Sequence, residues 1–112
     1  MNTNEGLPSI EQGNERFPTR EDILAQIRSR CEGVEIHQEL SDADGLYFLE
    51  TRKQGEKPNE FTEYTYVRKG NFPNGLRTAD TAIVVCHCVD DVAQFADVVA
   101  KYDSETGEWT AL

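Results

Sequence analysis

Nowhere in these 112 residues does an apolar run approach the roughly 18 needed for a helix to cross a bilayer, so a helical membrane span is excluded. The opening Met-Asn-Thr-Asn-Glu-Gly-Leu-Pro has neither a basic flank nor an apolar stretch and does not read as a secretory leader. Cysteine is scarce. With Cys31, Cys86 and Cys88 alone, any intramolecular disulfide scheme leaves a thiol over, and this count fits a reducing, cytoplasmic setting. Basic residues are also few, eleven against twenty-one acidic ones. The net charge of -10 repels nucleic acid and anionic membranes while favouring solubility and basic partners. Glycine-rich phosphate loops of the Walker or dinucleotide-binding kind are missing.

What remains is the composition of one small domain. Hydrophobic residues make up 38% and charged residues 29%, as expected for a chain with much surface per unit volume. At this length folding hides roughly two thirds of the surface of the unfolded chain, enough for one core without a disulfide or metal staple. The most apolar segment is Thr81–Val89, in which seven of nine residues are apolar or sulfur-bearing. It is short and β-branched, which predicts a strand buried on both faces, with the remainder of the chain packed around it. Alternation then sends Val84, Cys86 and Cys88 one way and Ile83, Val85 and His87 the other.

Residues 1–16 read as a loose tail with isolated Leu7 and Ile10, and residues 17–112 as a single domain. Thr19, with Asp22 three places on, is a helix N-cap, and Ile23, Leu24, Ile27 and Cys31 share one helical face. Arg28 and Arg30 suit the last turn and Gly33 the left-handed exit, giving an N-terminal amphipathic helix of about thirteen residues. Val34, Ile36 and Leu40 then alternate with Glu35, His37 and Glu39 as in a half-wet strand. A turn at Ser41–Gly45 leads into a partner strand over Leu46–Lys53, and a second turn at Gln54–Asn59 precedes a third strand over Phe61–Lys69. Gly70–Gly75 is loop chemistry, and the stretch to Asp80 is irregular. Beyond Asp90-Asp91 the spacing is ambiguous. Val92, Phe95, Ala96 and Val99 suggest a half-helix over 91–96, followed by a closing hairpin around Asp103–Gly107. The expected fold is α+β, with the helix packed on a twisted, mainly antiparallel sheet of about five to six strands.

Three constellations could carry chemistry. Cys86-His87-Cys88 has ligand-type side chains, yet a strand turns His87 away from both sulfurs, so no metal site is expected. His87 could act with Tyr64 or Tyr66, near Arg68 and Glu50, as an acid or base. This requires that the helix cover the cysteine face and leave His87 on the open one. Arg52, Lys53, Lys57, Arg68, Lys69 and Arg77 form a basic segment of net +3 over residues 52–77. Arg68, Lys69 and Arg77, with Phe72 in the intervening loop, could hold an anion. No spaced catalytic set appears, and no cofactor is implied. The expectation is therefore a small acidic, non-enzymatic binding or regulatory module that self-associates or docks on a protein partner. The alternative is a ligand-binding or enzymatic cup for a small anionic ligand, using His87, Tyr64 or Tyr66, and Arg68 or Arg77. Nucleic acid and membrane partners are not expected.

Overall fold

A computed structural model describes residues 16–42, 45–71 and 77–112. Its one described helix, α1, runs from Arg20 to Arg30, and the Thr19 hydroxyl accepts a hydrogen bond from the Asp22 N–H at 3.1 Å, as the capping pattern requires. Eleven residues are helical rather than thirteen, and the helix is set in from the chain start rather than N-terminal. Cys31 falls on the C-cap instead of the helical face, and Gly33 turns the chain away with φ +82°.

Among the described residues eight strands follow: β1 (Glu35–Asp42), β2 (Gly45–Gln54), β3 (Glu60–Val67), β4 (Gly70–Asn71), β5 (Arg77–Thr78), β6 (Thr81–Val89), β7 (Val92–Asp103) and β8 (Glu108–Ala111). Six of them form one antiparallel sheet in the order β1-β2-β3-β6-β7-β8. This is a meander, in which each strand turns back beside the one before it, save that β6 returns beside β3 after β4 and β5. Between β3 and β6, where an irregular loop is expected, β4 and β5 pair as a small ribbon. The Phe72 assignment and nearly all of the tail reading, Leu7 and Ile10 included, lie outside the described residues.

The half-helix expected over 91–96 is a strand. Val89 pairs with Val92 across a two-residue turn, in which Asp90 (φ 54°) and Asp91 (φ 63°) both adopt the left-handed conformation that a tight hairpin demands. The register of β7 against β6 slips between His87 and Cys88 and again between Ile83 and Val84, which leaves Gln94 and Val99 as extra residues. Each extra residue resets the alternation. Val92 and Phe95, three apart, therefore return to one face, which imitates helical spacing.

Directly opposed residues in an antiparallel pair share a face, so the register fixes what each side of the sheet presents. One side carries Leu49, Tyr66, Ile83 and Ala100 in a row and receives Ile23, Leu24 and Ile27 of α1; all seven are buried. Each fully buried aliphatic side chain there contributes about 1.5–3 kcal/mol. The helix thus lies on the Ile83 side of β6, which is also the side of His87, and not over the cysteines. Packing thins along the strand: Thr81 and Ile83 are buried, whereas Val85 and His87 are only half-buried. The other side has a small cluster of Phe48 and Val67, with Leu40 and Tyr47 against it, and then a polar field.

Candidate functional site

The sheet is closed unevenly at its end. β8 has four residues and pairs with β7 only from Ala100 to Asp103, and the Leu112 N–H reaches back to the Val99 carbonyl at 3.0 Å. Among the described residues, Val92–Val98 has β6 on one side and no strand on the other. Its large apolar side chains stand in solvent: Val92 is 60% exposed, Phe95 56% and Val98 38%. The strip is anchored. The Asp90 N–H donates to the Asn59 carbonyl at 2.9 Å, and the Asn59 amide donates to Asp90 Oδ1 at 3.1 Å, tying the β6–β7 turn to the β2–β3 turn. The Phe95 ring stacks on His87 with centroids 5.9 Å apart and planes 20° from parallel.

On the face away from the helix, β2, β3 and β6 hold a half-buried polar row. Arg52 Nε bonds Glu63 Oε2 at 3.0 Å while its guanidinium lies 4.2 Å from the centre of the Phe61 ring. His37 Nε2 is 3.8 Å from Glu50 Oε1. Burial, and then the neighbouring Glu63 carboxylate, push the Glu50 carboxyl above its ordinary value, with Arg52 and His37 offsetting part of this. Opposite Glu63 stands Cys86, whose sulfur is 3.7 Å from that of Cys88. Burial, followed by the adjacent Cys86 thiol, pushes Cys88 up to about 11, so it is a protonated thiol at neutral pH.

The residues singled out from sequence are dispersed. Tyr66 is wholly buried beneath the helix. Tyr64 packs at the edge of that core, and burial, followed by nearby Cys31, raises its hydroxyl above the usual value. His87 faces Thr62, and Tyr64 is its diagonal neighbour on the same face. Arg68 is held elsewhere: its guanidinium lies 4.5 Å from the Phe17 ring and 5.5 Å from the Tyr47 ring. The Lys69 N–H bonds Thr81 Oγ1 at the far end of β6, six positions or about 20 Å from His87. Arg77 is exposed on the ribbon. His87 and these cations therefore do not converge. The described residues contain no group of three or more His, Cys, Asp or Glu side chains arranged to hold a metal ion.

Sequence reasoning missed the open strip because it depends on how far β8 reaches, a matter of pairing rather than composition. The Arg52–Glu63 bridge was hidden likewise, since it needs the β2–β3 register. A comparison with known protein families, curated proteins and solved structures finds no match, so function rests on geometry.

Proposed function

We propose that this protein is a non-enzymatic binding module that works by self-association, one copy adding its Val92–Val98 strip to the same strip of a second. One observation carries the reading: a strand edge with open backbone groups that exposes Val92, Phe95 and Val98. Natural sheets guard such edges with charge, bulges or a covering element, because unpaired N–H and C=O groups template further pairing. The opposite edge, β1, follows that rule, with Glu35 and Glu39 along it and register slips between Ile36 and Gln38 and between Leu40 and Ser41. The β7 strip has a single charge, Asp97, in seven residues.

Charge also selects the occupant. Two chains of net charge -10 repel over most of their surfaces, and the β7 strip is where they can approach with least like-charge cost. A twofold antiparallel pairing would extend each six-stranded sheet into its copy, bury both Phe95 rings and satisfy the edge amides. The anion-binding cup has less support, because its histidine and arginines stand at opposite ends of β6.

Size-exclusion chromatography with light scattering at about 100 µM, a concentration that populates any dimer of comparable or tighter Kd, tests the reading. The wild type is expected to give the dimer mass, and Phe95→Lys and Val98→Lys a folded monomer. A monomeric wild type would refute self-association.

A further inference from the structure

We propose that Cys86 and Cys88 form a dithiol site for a soft, thiophilic centre that takes two sulfur ligands, of which a trivalent organoarsenical is the simplest case. The two residues are i and i+2 on β6, so the strand turns both thiols to the same face, the one the helix leaves uncovered. Their sulfurs are 3.7 Å apart. That separation suits a bridging atom: two sulfurs bonded at about 2.3 Å to one tetrahedral or pyramidal centre sit roughly 3.4–3.8 Å from each other. A direct disulfide would require closure to about 2.05 Å between neighbours on an extended backbone. The surroundings leave a way in. Cys86 is half-buried and stands opposite Ala96, and Cys88 is buried and stands opposite Ala93; both alanines are exposed and small, so entry is over β7 by way of Cys86, and an organic group on the bridging atom has room there. On the other side Phe61 and Glu63, held by Arg52, form a wall.

The reaction is a condensation without electron transfer. Phenylarsine oxide and two thiols form two As–S bonds; both S–H bonds and the As–O bond break, the oxygen leaves as water, and arsenic stays trivalent. Cys31 provides the internal control, because it packs against the helix-side core and has no thiol partner within reach.

The test is intact-mass spectrometry of the full chain with one equivalent of phenylarsine oxide, in the presence of excess monothiol, together with a thermal melt. One adduct per chain is expected. It should persist in Cys31→Ser, disappear in Cys86→Ser and Cys88→Ser, and be stripped by a 1,2-dithiol. Because the pair is arranged by the fold, the ligand should also raise the Tm of the wild type. Should a serine variant fail to fold, Cys86→Ala and the Tm shift of Cys31→Ser decide the matter. The proposal is overturned by capture that survives loss of either strand cysteine, by capture that requires Cys31, or by a Tm that stays level or falls, which would mean that only the unfolded chain binds.

Discussion

Leu49 shows how much one side chain contributes here. It is wholly buried in the core that Tyr66 on β3 and the helix share, so Leu49→Ala removes its apolar contacts and leaves a cavity. The expected loss is about 2–5 kcal/mol in urea unfolding, with the slope unchanged. Glu50 behaves differently, because burial and Glu63 raise its carboxyl above the ordinary value of 4.5. The folded chain then keeps this proton where the unfolded chain has released it. The stabilisation from this group is fully present below 4.5 and is lost as pH rises through the raised value. Glu50→Gln should therefore flatten the decline in urea midpoint as pH rises above 4.5 and match or exceed the wild type at neutral pH. A variant with an unaltered pH profile would show that Glu50 is not the group responsible.

Among the elements, the β6–β7 hairpin is the most informative. Both turn residues need positive φ, and Asp91 meets this at φ 63° with a side chain that bears a cost glycine avoids. Asp91→Gly is expected to stabilise the fold by about 0.5–1 kcal/mol in thermal unfolding, whereas Asp90→Gly also forfeits the bond from Asn59 and should gain less. The same hairpin marks the limit of what was legible in the chain. The Thr19 cap, the Ile23-Leu24-Ile27 stripe and the β-formers of β1 to β3 are local signals, and each became the expected element, although the bulge after Ile36 turns Leu40 to the Phe48 face instead of the face of Ile36. Part of β7 imitates a helix in sequence because its bulges at Gln94 and Val99 break the two-residue period. A bulge is a relation between two strands and leaves no mark on one. The side of β6 that the helix covers is equally non-local, and with it the surroundings of His87 and the cysteines. Arg68 near the Gly70 loop looked free to hold an anion, but its position between Phe17 and Tyr47 depends on contacts 51 and 21 residues away in sequence.

At the scale of the molecule, a short helix roofs part of one face of a longer sheet, and the final strand stops before covering its neighbour. The resulting surface is divided in character, with an acidic, irregular edge at β1 and a nearly neutral, apolar strip at β7. The proposed self-association through that strip would account for a chain of this charge leaving it bare. Amide hydrogen exchange followed against protein concentration tests the claim most directly. Dimer formation should progressively slow the outward amides of Val92–Val98 while those of β1 exchange at a constant rate. Exchange in Val92–Val98 that is fast and independent of concentration would contradict the account.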